Sequence, residues 1–239
     1  MTAKRVLLGA TVLTLAVTLV FALSITPPRP SRGNEAVRLL YIHVPFAWLA
    51  YFAFGITALA SLLWLIPRTR NTTWDLLAGA SAEVGVVFTA LMLFIWSLWG
   101  KTTWDTWWEW DARLTTTAIL FFLYLGYLAL RRTGATADER GKRCAIAALI
   151  AFADVPISYL SVTWWQTLHQ TGTVFNDRAE VKIDGSMAFT LVLATFAFTL
   201  LYGYLTLERF QLAQLEEGKE DLEVQRAIEE RVRAEAVLT

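Results

Sequence analysis

The stretch WGKTTWDTWWEWDARLT, residues 99–115, carries five of the chain's eleven tryptophans, interleaved with Lys101, Asp105, Glu109, Asp111 and Arg113. Tryptophan favours the membrane–water interface, and an interfacial belt accounts for Trp96 and Trp99. It does not account for Trp104, Trp107, Trp108 and Trp110, four indoles within seven residues. A helix over 103–112 places Trp104, Trp107 and Trp108 on one face at i, i+3, i+4 spacing. Asp105 and Glu109 then turn to water, the pattern of an amphipathic segment lying flat on a bilayer. An extended chain instead groups Trp104, Trp108 and Trp110. Both conformations build a wide indole surface beside charged groups. A porphyrin, with its large apolar plane and two propionates, suits such a surface. The indoles meet the plane, and Arg113, Lys101 or Arg178 can pair with the propionates.

Iron in a porphyrin takes axial ligands, and imidazole is a common one. The chain has two histidines, His43 in LLYIHVPFAW and His169 in WWQTLHQTG. Each is flanked by aromatic residues and each sits at the end of an apolar run, so the pair can supply both axial positions of one haem. Taken singly, either is an ordinary polar residue at a membrane surface. Zinc fits less well, since a closed site wants about four ligands and no cysteine is near. The single cysteine, Cys144, excludes a disulfide within the chain, a C-x-x-C thiol pair and C-x-x-C-H haem attachment. It reads as a small apolar helix residue.

Membrane-spanning helices must position these groups. The chain is 56% hydrophobic and 18% charged, with 21 basic and 21 acidic side chains. A net charge of zero gives no bulk basic field for nucleic acid. Six apolar stretches are long enough to cross a bilayer, at about 6–23, 46–66, 76–99, 114–130, 144–164 and 187–207. The first is longer than a signal-peptide core and lacks a good cleavage site after it, so it reads as a retained span. Lys4, Arg5, Arg68, Arg70, Arg131, Arg132, Arg140, Lys142 and Arg143 fall on one side. By the positive-inside rule both termini are cytoplasmic, and the loops near 24–45, 99–114 and 165–186 face outward. The expected fold is an all-α membrane protein of six transmembrane helices, with the tryptophan-rich loop between helices three and four. Pro45 suits the first turn of the second helix.

Residues 1–207 form the transmembrane part. Residues 208–239 are rich in Glu, Arg, Ala and Leu and read as a charged cytoplasmic helical tail, interrupted at Gly218. The tail is either a solvated helix or a docking helix for a cytoplasmic partner. Two acids fall within predicted spans. Glu83 lies among small residues that favour close helix packing. Asp154 lies beside Pro156, which kinks the helix and frees a backbone carbonyl. Intramembrane carboxylates are functional candidates by default, and both also have structural readings.

The tryptophan-rich stretch resembles the WWD motif of haem-handling proteins that assemble c-type cytochromes. YIHVPFAW and VPISYLSVTWWQTLHQ resemble the histidine-bearing segments of one branch, the six-span cytochrome c maturation protein C (CcmC), or haem exporter protein C, family. The likeness covers about residues 37–207, with the same span count, order and loop placement. It implies a haem-binding protein rather than an enzyme, in the bacterial inner membrane. That protein holds haem b, as a transported ligand, at the periplasmic face. Its implied partners are a covalent haem chaperone, the ABC-transporter subunits of the maturation system and a small single-span subunit, all at the lipid bilayer. Residue by residue, His43 and His169 match the axial ligands. Trp99, Gly100, Trp104, Trp107, Trp108, Trp110, Asp111, Arg113 and Leu114 match the motif. Asp105 stands where the family commonly has Gly, and Glu109 where it has an apolar residue.

Three other readings exist. A channel moving haem across the bilayer would lean on Glu83 and Asp154. A membrane redox enzyme usually needs haems at two depths, and two histidines at one face make one site. The fused cytochrome c synthases share the WWD loop but have more spans, more histidines and a large outer domain.

Overall fold

In lipid a backbone can satisfy its polar groups locally only as a helix, and the apolar runs of this chain do so. The computed structural model describes residues 2–25, 34–133, 136–165, 167–169 and 183–238. Its helices are α1 (Thr2–Val20), α2 (Leu40–Leu65), α3 (Thr72–Trp104), α4 (Ala112–Arg131), α5 (Ala137–Phe152), α6 (Asp154–Trp164) and α7 (Gly185–Leu238). A π-helical turn, Phe21–Ile25, extends α1, and a 3₁₀ turn, Asn34–Leu39, leads into α2. Among the described residues there is no strand, and six helical stretches are long and apolar enough to cross a membrane. α5 and α6 together make one of these, Ala137–Trp164.

The ends of the helices follow from local signals. Asn71 caps α3 by accepting from the Thr73 N–H at 2.9 Å. Thr136 and Glu139 form a reciprocal capping box at α5. The fifth span is not one helix: it breaks at Ala153, three residues before Pro156, whose ring cannot continue the hydrogen-bond ladder. α2 begins earlier than the sequence predicts, so Pro45 lies inside it and not at its start, and His43 falls in its first turn. The sixth span runs on without a break through residue 207 and through Gly218, so the tail is a continuation of α7 and that glycine does not interrupt it.

α3 packs most extensively on α2, through Ala78, Ser81, Ala82 and Gly85. A Cβ at Gly85 would stand 2.8 Å from the Phe54 ring, so the close approach needs glycine. Ser81 Oγ donates to the Ala53 carbonyl at 2.7 Å and shares a hydrogen bond with the Tyr202 hydroxyl, joining α2, α3 and α7. Phe54 stacks on Tyr124 in a buried cluster that also holds Cys144, in keeping with an apolar packing role for the thiol.

Ion pairs gather at one end of the bundle. The Arg131 guanidinium grips Asp75 with two hydrogen bonds, of 2.7 and 3.0 Å. Arg140 bonds Glu217 at 2.6 Å, Arg209 pairs with Glu83, and Lys4 bonds Glu208 at 2.6 Å. The start of α1, the end of α2 and the start of α3 share this end with residues 208–217 of α7. The opposite end holds the start of α2, the end of α3, the start of α4 and the segment after α6, and there both histidines lie.

Candidate functional site

α3 has 33 residues, roughly 50 Å at 1.5 Å per residue, whereas a bilayer's hydrocarbon core is only about 30 Å thick. It is longer than that core, and its last turns carry Trp96, Trp99 and Trp104 to the histidine end. The helix stops at Asp105, which adopts a left-handed conformation with φ of 57°. Residues 105–111 are irregular, so the helical reading of 103–112 holds only to Trp104. Asp111 then caps α4, accepting from the Leu114 N–H at 2.8 Å.

The left-handed turn explains a departure noted in the sequence. Glycine is the residue best suited to that conformation, and Asp and Asn are the usual substitutes. Asp105 occupies it while pairing with Lys101, one turn back on α3. The ammonium beside it holds the Asp105 carboxyl below its ordinary range. Glu109 is exposed; nothing in the structure explains the acid there.

Four rings form a near-parallel series. Trp104 and Trp96 have centroids 6.3 Å apart at 20°, Trp96 and His169 5.7 Å at 21°, and His169 and His43 6.4 Å at 29°. Trp99 meets His43 edge-on at 5.9 Å, and Trp108 meets Trp96 edge-on at 6.1 Å. Trp110 is edge-on to Trp108 at 5.4 Å. Trp107 and Trp110 are exposed, 58% and 73%. The loop is thus layered: buried Trp96 and half-buried Trp99 lie against the histidines, and the exposed Trp107 and Trp110 are outermost.

Trp96 is the residue that sequence reasoning missed. It was assigned to an interfacial belt, yet it is 2% exposed and stacks on His169. The one local mark is Gly100, a turn further on: a Cβ there would lie 2.9 Å from the Thr106 carbonyl and 3.3 Å from the Trp96 ring. Gly100 lets the loop fold back over that indole.

Two of the cations expected near propionates have protein partners. Lys101 is paired with Asp105. Arg113 Nη1 donates to the Ser158 and Tyr159 carbonyls, both at 2.9 Å, and its guanidinium lies over Tyr51. This ties the start of α4 to α6. Arg178 lies outside the described residues.

Asp111 joins the tryptophan loop to the histidine segment. Its Oδ2 accepts from the Thr167 hydroxyl and from the Leu168 N–H at 3.0 Å, and stands 3.6 Å from Nδ1 of His169. Burial acts to raise the Asp111 carboxyl, but His169, the Leu114 N–H and the Thr167 hydroxyl together hold it well below the usual carboxylate range.

The residues fit a haem held by two imidazoles. Nδ1 of His43, Nδ1 of His169 and Nε1 of Trp108 are buried without a hydrogen-bond partner among the described residues. Buried polar nitrogens left unpaired are uncommon, and Nδ1 is the nitrogen that a histidine ligating through Nε2 keeps for a hydrogen bond. Two imidazoles on one metal each put a nitrogen about 2 Å from it, which with the ring radii sets their centroids roughly 6 Å apart. The 6.4 Å separation here agrees with that span. Among the described residues no group of three or more His, Cys, Asp or Glu forms a metal cage.

Comparisons with known proteins give the family. The family model described as CcmC, heme exporter protein C, matches residues 1–225. The heme exporter protein C of Bradyrhizobium diazoefficiens is 39% identical over 196 residues, 82% of this chain and 73% of that protein. That of Haemophilus influenzae is 38% identical over 207 residues, 87% and 82% of the two chains. That of Escherichia coli K12 is 37% identical over 202 residues, 84% and 80%. With the match spanning every predicted membrane helix and both histidines, the chain belongs to the heme exporter protein C (CcmC) family.

Proposed function

We propose that this protein binds one haem b between His43 and His169, at the periplasmic face of a bacterial inner membrane, and presents it to a covalent haem chaperone during c-type cytochrome assembly. The observation that carries the reading is the facing pair of imidazoles, 6.4 Å apart, backed by Trp96 and edged by Trp99. The relatives' name, heme exporter protein C, supports haem as cargo. The gathering of Arg70, Arg131, Arg140 and Arg209 at the opposite end supports that end, and both termini with it, as cytoplasmic.

The protein's task is orientation. The bond-making belongs to haem and chaperone; this chain supplies placement and excludes competing geometries. Two axial ligands stop the porphyrin from sliding. Trp96 and Trp99 cover part of its plane, while the exposed Trp107 and Trp110 line the side from which a partner would approach. ABC-transporter subunits and a small single-span subunit complete the proposed assembly. The channel alternative loses one of its two acids: Glu83 is held by Arg209 at the far end of the bundle.

The test is co-purification. The reading expects one b-type haem per chain with a low-spin, bis-histidine spectrum. Absence of haem from protein made in haem-replete cells would contradict it, and more than one haem per chain would favour a redox enzyme.

A further inference from the structure

Asp111 stands behind one histidine and not the other. Three donors from two elements, the Leu114 N–H, the Leu168 N–H and the Thr167 hydroxyl, hold its two oxygens in place. Its side chain is 6% exposed, and its Oδ2 lies 3.6 Å from the buried, unpartnered Nδ1 of His169. That distance is just beyond hydrogen-bond reach, and a small rotation of the imidazole closes it. Nδ1 of His43 is also buried and makes no hydrogen bond of ordinary geometry, and the groups found against that ring are Trp99 edge-on, His169 and the Met92 backbone, none of them a carboxylate.

Histidines that bind metals commonly donate their second ring N–H to a carboxylate. This fixes the tautomer and makes the imidazole a stronger electron donor. Resting on the reading of His43 and His169 as axial ligands, we propose that Asp111 is a positioning residue that accepts a hydrogen bond from the Nδ1–H of His169, turns Nε2 toward the iron and makes His169 the stronger of two unequal axial ligands. Asp111 acts through His169 and does not touch the haem. The same carboxylate caps α4 and tethers residues 167–168, so the tryptophan loop and the ligand are set by one group. A stronger donor favours ferric over ferrous iron, so the residue biases the oxidation state in which haem is held.

The experiment compares wild type, Asp111→Asn and Thr167→Val in the full complex, by haem reduction potential, optical spectrum and affinity for added haemin. Asn still caps α4 but is neutral and cannot give the Nδ1–H of His169 the charge-assisted hydrogen bond that a carboxylate does. Thr167→Val removes one tether and leaves the carboxylate. The proposal expects Asp111→Asn to shift the ferric/ferrous equilibrium toward ferrous roughly tenfold, about 59 mV for a one-electron couple. It expects haemin affinity to fall about 10–100-fold, with Thr167→Val close to wild type in both. An Asp111→Asn protein with wild-type potential and affinity overturns it. So does Thr167→Val matching Asp111→Asn, which would make the effect one of tethering. A wild-type protein without low-spin haem removes the axial-ligand reading itself, and this proposal with it.

Discussion

The imidazole of His169 lies nearly parallel to the indole of Trp96, with centroids 5.7 Å apart and planes inclined by 21°. The indole is buried and is flanked on its other side by Trp104. A histidine outside any helix is therefore held by a wall that belongs to α3. Trp96→Ala should remove that wall at a cost of about 3–5 kcal/mol for a buried aromatic, and the haem spectrum should lose its low-spin character. Trp96→Phe should retain most of both. Thermal unfolding in detergent, followed beside the optical spectrum, checks this.

Gly100 makes the wall possible by letting the Thr106 carbonyl pass close by. Gly100→Ala should cost about 1–3 kcal/mol through overpacking and lower haem occupancy. Gly126→Ala is the matched control, because its added Cβ meets nothing within 4 Å. In a helix interior that change should be neutral to stabilising by up to about 1 kcal/mol. Equal behaviour of the two variants would contradict the close approach.

Asp105 turns the chain in a left-handed conformation, φ 57°. Asp105→Gly should leave thermal stability unchanged or raised, despite loss of the Lys101 pair, since exposed pairs contribute little. Asp105→Val should lower it, because a β-branched residue is strongly disfavoured there. The order Gly, Asp, Val in melting temperature is the result to look for.

At the other end, Arg131 and Asp75 form a buried two-bond pair, with side chains 14% and 6% exposed. Removing one partner of such a pair costs about 3–5 kcal/mol. Asp75→Ala should therefore lower the melting temperature sharply while any protein that folds keeps an unaltered haem spectrum. A changed spectrum would mean that the two ends of the bundle are coupled.

Much of this was legible in the sequence, for reasons that differ by residue. The spans were readable because apolar length is a strong constraint in lipid. His43 and His169 stood out because the chain has no other histidine. Trp96 did not, because tryptophan at a span's end has a sufficient explanation in the interface, and only tertiary folding of 105–111 over α3 buries it. The helical reading of 103–112 failed because Asp105, in a left-handed turn, ends the helix, and sequence spacing carries no φ. The break at Ala153 had its sign in Pro156, whose missing N–H and ring interrupt the ladder one turn back. Asp111 was placed with the haem-contacting groups by its motif; its partners, Thr167 and Leu168, lie 56 and 57 residues away and no local pattern points to them. Asp75 was passed over at the edge of a span, where its buried pairing with Arg131 depends on a helix end 56 residues away.

The central claim is that His43 and His169 together ligate one haem iron. The most direct measurement is the optical and electron paramagnetic resonance spectrum of the purified complex for wild type, His43→Ala and His169→Ala. The prediction is a low-spin bis-histidine signal in wild type, lost in each single variant, with haem content falling in both. Unchanged low-spin spectra and haem content in both variants would contradict it.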